Sequence, residues 1–133
     1  MKKRIVIIDN DSKHLDSLER VIKEIDKSFH CLSFVFADEA LQVISCELNE
    51  PPTIIFINVN LNRKSGAACL ADLRKDITFD SSQIIMFSVV MPRAVEDSFL
   101  QMGADGAFQK PVSTIEYKNI LRPILNRYRY KIL

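Results

Sequence analysis

Ile54-Ile55-Phe56-Ile57-Asn58-Val59-Asn60-Leu61-Asn62 runs four apolar residues straight into three asparagines spaced two apart, with no acid among the nine. An unbroken apolar run of this kind reads as a strand buried on both faces, which is the habit of a parallel sheet. The polar residues that follow it form a loop at the end of that strand. In open parallel sheets such loops carry the ligand site. Here the loop offers carboxamides where a charged site would offer carboxylates.

The rest of the chain repeats the strand-then-helix pattern around this run. Arg4 to Ile8 holds a short branched stretch, IVII, and DNDSKHLDSLERVIKEI follows it with Leu15, Leu18, Val21, Ile22 and Ile25 at helical spacing. Asp11 or Ser12 can cap that helix. Cys31–Phe36 is a second expected strand and Ala37–Cys46 a helix, closed by Pro51-Pro52. Thr53–Asn58 is the third strand, and a helix over Ala67–Arg74 follows the Ser65-Gly66 break. Gln83–Ser88 is the fourth strand. Pro92 suits the first turn of the next helix, which runs to about Met102, with Gly103 at its end. Ala107–Gln109 makes a short fifth strand, and Val112 to about Tyr128 a last amphipathic helix interrupted by Pro123.

Five strands alternating with five helices predict an α/β, flavodoxin-like (βα)5 three-layer sandwich with a parallel sheet in the order 2-1-3-4-5. The expected organisation is one domain over residues 1–133. Right-handed crossovers put every strand's C-terminal end on one edge. Asp9, Asn10, Asn58, Ser88 and Lys110 each lie just past a strand and should converge there.

Bulk properties narrow the function. A chain of 133 residues with 47% hydrophobic and 26% charged residues is an ordinary globular composition, and its formal charge of +1 sets up no field for nucleic acid or membrane. The apolar run behind MKKR is four residues long, too short for a signal peptide, and no segment approaches the roughly 18 residues of a membrane span. A cytoplasmic location is expected. Cys31, Cys46 and Cys69 lack CxxC spacing and read as buried free thiols. His14 and His30 stand apart from any cysteine pair, so zinc is not expected. With three glycines in the chain and DNDSKH after the first strand, there is no phosphate-cradling loop, which ranks a flavin or nucleotide carrier last.

Taken together, IVIIDND at 5–11, ADEAL at 37–41, INVNLN…SG at 57–66, IIMFS at 84–88 and MGADGAFQKP at 102–111 resemble the receiver domain of two-component response regulators, over nearly the full length. The resemblance implies phosphoryl transfer to an aspartate ending the third strand. It also implies Mg²⁺ held by acids after the first strand, a lysine after the fifth, and a hydroxyl ending the fourth. Lys110-Pro111 matches the lysine and its proline, whose peptide bond is usually cis in the family. Ser88 matches the hydroxyl and Asp9 the first acid. Asn10 stands in place of the second acid and Asn58 in place of the phosphorylated aspartate. Asn60 would offer a backbone carbonyl to a metal. The usual aromatic switch position, three residues before the lysine, is Ala107, and Phe108 one place later should point to the opposite face.

An amide cannot form the acyl phosphate, and amides at 10 and 58 remove two charges from the metal site. No cofactor is expected, and Mg²⁺ should bind weakly at best. A metal-free cluster Asp9–Lys110–Asn58–Ser88 is expected instead, with Lys110 reaching both Asp9 and the Asn58 carbonyl. Ser88 can equally serve backbone groups at its strand end, and Asp11 reads first as a helix cap. The expected function is therefore not an enzyme. It is a degenerate receiver, a phosphorylation-independent protein-interaction module in two-component or phosphorelay signalling. Its partner, a histidine kinase or another regulator, would dock on the face of the fourth helix, fifth strand and fifth helix. A homodimer is compatible with this face. The alternatives are a receiver that answers to a small ligand or anion, and one phosphorylated at another acid such as Asp11. Arg122, Arg127, Arg129 and Lys131 read as a solvated helix face.

Overall fold

The computed structural model describes residues 3–129, with side chains described through Arg127. Its five strands are β1 (Lys3–Ile8), β2 (Phe29–Phe34), β3 (Ile54–Asn58), β4 (Gln83–Ser88) and β5 (Gly106–Gln109). They form one parallel sheet in the order β2-β1-β3-β4-β5. Five helices connect and cover them: α1 (Ser12–Ile25), α2 (Ala37–Cys46), α3 (Gly66–Arg74), α4 (Arg93–Gln101) and α5 (Thr114–Arg129).

The strand period of two divides the core. Val6, Ile8, Ile55, Ile57, Ile84 and Met86 face one side, where they pack with Ala40 and Ile44 of α2 and Leu70 and Leu73 of α3. Ile5, Ile7, Ile54, Phe56, Ile85 and Phe87 face the other, against Leu18 and Ile22 of α1 and Leu121 and Leu125 of α5. Both faces of β1, β3 and β4 are thus covered, which is why their sequences are continuous rather than alternating.

Beyond shifts of a single residue, the departures from expectation each have a local reason. β2 begins two residues earlier than its apolar run suggests, because Lys3 pairs with Phe29 and the Asp26–Ser28 turn reverses the chain just before it. Phe36 is left out of the strand and serves as the extended N-cap of α2. A 3₁₀ turn at Ile77–Phe79, capped by Asp76 through Thr78 N–H, has no apolar period to announce it. α5 starts at Thr114 rather than Val112, after Ser113 takes the Glu116 N–H. The Lys110–Pro111 peptide is trans, as is every described peptide bond. The difference between the two X-Pro isomers is about 0.5–1 kcal/mol, so neighbouring contacts decide it.

Two glycines are required by geometry. Gly103 follows α4 with φ +104°, the left-handed conformation of a helix end. Gly66 opens α3, and a Cβ there would lie 2.3 Å from the Asn58 carbonyl oxygen. Only a residue without a side chain lets α3 start against the end of β3. No described helix is long and apolar enough to cross a membrane.

Candidate functional site

The parallel register brings the expected residues to one edge. Ile8 pairs with Ile57, Asn58 with Phe87, and Ser88 with Gln109, so the loops after β1, β3, β4 and β5 start at one level. Asp9, Asn58 and Ser88 are buried there, at 1%, 5% and 5% exposure. Lys110 is held by its backbone N–H, which donates to the Ser88 carbonyl at 2.7 Å.

Asp9 is the centre of the cluster, and its chief partner was not expected. His14, in the first turn of α1, is buried, and its Nδ1 lies 2.5 Å from Asp9 Oδ2. Lys110 Nζ sits 3.1 Å from the same oxygen and 3.3 Å from Oδ1, which also accepts the Asp11 backbone N–H at 2.9 Å. Burial by itself would push the Asp9 carboxyl up. The hydrogen bonds from His14 and Asp11, with the electrostatic attraction of His14 and Lys110, more than offset it, so its pKa lies below the ordinary carboxylate value.

Asn58 does not join Lys110. Its Nδ2 donates to Asn10 Oδ1 at 2.8 Å and to the Asn60 carbonyl at 3.0 Å. The carbonyl can only accept, so it fixes which end of the amide is nitrogen. Asn58 Oδ1 is buried without a hydrogen-bond partner, and so is His14 Nε2. The expected four-membered cluster therefore divides. Lys110 goes to the carboxylate, the stronger acceptor for a cation, and the amide pair forms separately. The Ser88 hydroxyl makes no hydrogen bond to another described side chain.

Zinc-ligand spacing says nothing of this role for His14, but helical spacing does. Position 14 lies one helical turn before Leu18, on the stripe that continues through Val21, Ile22 and Ile25, so its side chain had to face the core. There it packs against Phe87 (centroids 5.3 Å apart) and Tyr117 (5.7 Å). Asp11 caps α1 through the Lys13 N–H, and its other oxygen lies 3.9 Å from Lys110.

Ala107 is buried on the α2–α4 side of the sheet, while Phe108 lies on the α1–α5 side against Phe87 (6.0 Å). The alternation expected for these two positions holds. The cysteines are free, but Cys69 alone is buried; Cys31 is half-buried and Cys46, at the end of α2, is exposed. Burial pushes the Cys69 thiol up to about 12, so it stays protonated. Arg122 and Arg127 are exposed on α5, whereas the Arg129 side chain and Lys131 lie outside the described residues.

The divalent cation implied by the motif can be tested against this geometry. A hard ion would draw on Asp9, Asn10 Oδ1 and the Asn60 carbonyl. Each of these oxygens already accepts from an internal donor: His14, Lys110 and the Asp11 amide on Asp9, and Asn58 Nδ2 on the other two. One carboxylate remains where the chemistry asks for several. As they stand, these residues do not fit Mg²⁺.

Comparison with known proteins agrees with the architecture. The family model described as the response regulator receiver domain matches residues 5–122. The fold superposes on the phosphorylated cyanobacterial phytochrome response regulator RcpA with a TM-score of 0.84 at 14% identity, covering 98% of this chain and 96% of that one. The signal receiver domain of a putative LuxO repressor protein from Vibrio parahaemolyticus gives 0.81 at 16% identity, covering 98% and 95%. A CheY-like receiver domain from Methanospirillum hungatei gives 0.77 at 21% identity, covering 98% and 99%. No curated protein sequence matches. With the strand order, the convergent strand-end residues and a family match over nearly its whole length, this chain belongs to the response regulator receiver domains of two-component signalling.

Proposed function

We propose that this receiver domain works without phosphorylation at its third strand and acts as a protein-interaction module. The observation that carries the reading is Asn58. It stands at the end of β3 where the family's chemistry needs a carboxylate, and its NH₂ group is spent on Asn10 and the Asn60 carbonyl. A carboxamide cannot form the acyl phosphate. A docking role is supported by the surface. Val89 and Val90 after β4, Val95 and Leu100 on α4, Met102 at its end, Val112 before α5 and Ile115 in its first turn are all exposed. Single exposed apolar residues are common, and several of them on the neighbouring α4 and α5 segments support an interaction surface. Partners of the kind receiver domains serve, kinases or other regulators, are the ones proposed.

The reading in which an anion occupies the pocket is less favoured, because Lys110, its expected donor, is bonded to Asp9. Incubation with a small phosphodonor and Mg²⁺, followed by intact-mass measurement, tests the proposal. The expected result is no added mass. A stable gain of one phosphoryl group overturns it, and loss of that gain in Asp11→Asn would place the modification on Asp11.

A further inference from the structure

His14 is the one buried polar residue of the pocket that the motif does not account for. Apart from Asp9, nothing packed against it calls for a polar group: its ring neighbours are Phe87 and Tyr117, and the positions beyond it on the same stripe are Leu18, Val21 and Ile22. An apolar side chain would fit the stripe equally well and would leave no buried nitrogen unpartnered, as His14 Nε2 is. A buried imidazole with one idle nitrogen is a cost, offset only by what the other nitrogen does. Nδ1 contacts Asp9, the one buried carboxylate of the pocket, at 2.5 Å, closer than the 3.1 Å contact of Lys110.

We propose that His14 is a built-in replacement for the divalent cation. By donating from Nδ1 to Asp9 Oδ2, and with Lys110 bridging both oxygens, it saturates the carboxylate from inside the chain. The pocket is then complete at any concentration of divalent ion. The loops after β1 and β5 are tied together through Asp9 in a single arrangement. The same contact fastens α1 to the end of β1, so the helix is held to the site edge by a bond rather than by packing alone. Asn58 completes the arrangement from the other side: its NH₂ group satisfies the Asn10 and Asn60 oxygens that would otherwise turn toward an ion.

The inference rests on the metal-free reading of the pocket, yet the two fail separately. A phosphoryl gain would overturn the proposed function without touching His14. Tight Mg²⁺ binding by the unaltered domain would overturn the role of His14 and leave the mass result standing.

The experiment follows thermal unfolding and the backbone amide signals of Asn10, Asp11 and Asn58 during titration with MgCl₂, from an EDTA-treated start. The unaltered domain should show no saturable response through millimolar Mg²⁺. His14→Leu should unfold at a lower temperature in EDTA and recover part of that loss with Mg²⁺. Its binding should be about tenfold tighter than that of the unaltered domain, since one charged hydrogen bond no longer competes for Asp9. His14→Gln keeps a weaker donor and should fall between the two. Equal Mg²⁺ affinity in all three proteins overturns the proposal, and so does a His14→Leu variant that is as stable as the parent in EDTA. If His14→Leu folds only when Mg²⁺ is present, the proposal stands. If it folds in neither condition, His14→Gln decides, and a Mg²⁺ affinity no greater than the parent's overturns it.

Discussion

The two ends of the sheet each carry a charged network, and they are built on opposite terms. At the N-terminal end of β4, Arg74 donates from Nε to the Gly103 carbonyl (2.7 Å) and from Nη1 to the Phe79 carbonyl (2.8 Å). Its Nη2 serves the Ser82 carbonyl (3.0 Å) and Asp105 (2.9 Å). Asp105 in turn accepts the Ile84 N–H. This network ties the end of α3 to two loops with nearly every donor used, and the orphan nearby, Gln83 Oε1, lies outside it. At the C-terminal edge, Asp9 is saturated, but His14 Nε2 and Asn58 Oδ1 are left idle inside the protein. A charge that is fully bonded at a half-exposed loop is structural glue. At the site edge the charge is bonded too, but its neighbours keep unpartnered buried atoms, a cost that the Arg74 network avoids.

The contrast can be broken most sharply at Asp9. Asp9→Asn removes the counter-charge of Lys110 and turns one of the two oxygens that accept from Lys110 and His14 into an NH₂ donor in a buried setting, and should cost about 3–5 kcal/mol in chemical denaturation. A loss below that of Arg74→Met would mean the site-edge cluster is the weaker of the two. Arg74→Met strips three carbonyls and a carboxylate of their donor, but water reaches that loop. A loss of about 2 kcal/mol is expected, with no dependence on divalent ions.

Asn58→Asp sharpens the comparison in another way. It sets a carboxylate oxygen against Asn10 Oδ1 and the Asn60 carbonyl, where two donated bonds stood. Stability in EDTA should fall by about 1–2 kcal/mol, and Mg²⁺ should return part of it. Calorimetry with and without Mg²⁺ reads both effects. A variant as stable as its parent in EDTA would show that the amide bonds contribute nothing.

The smallest effect expected is on acid stability. The Asp9 carboxyl has its folded pKa below the ordinary carboxylate value, so the unfolded chain takes up the proton first as pH falls. Its contribution is full above the unfolded pKa and is lost as pH drops through the folded value. Asp26 and Asp76 are lowered as well and add their own slope, so the measurement is the parent's acid unfolding curve minus that of Asp9→Asn. Parallel curves below pH 4 would remove Asp9 from the account.

Much of this architecture could be read along the chain. α2 and β4 fall at the residues their patterns indicate, because an amphipathic run and a continuous apolar run each point to one solution. β2 slipped by two residues because an edge strand is only partly covered and takes its register from its single neighbour, not from its own pattern. His14 was legible as a core-facing position, yet its partner was not. Lys110 was legible as a site residue, yet its choice of Asp9 over Asn58 was not.

What the sequence determined by itself is chemical and periodic: an amide at position 58 carries no acyl phosphate in any fold, and alternating strand and helix periods lead to a covered parallel sheet. What only the tertiary structure decided is who bonds to whom at the sheet edge. Asp9 meets Lys110 across 101 residues, and Asn58 meets Asn10 across 48. Such pairings depend on strand register and on ångström-scale competition among donors for a few acceptors. No local pattern encodes that competition, because each donor's alternatives come from other parts of the chain.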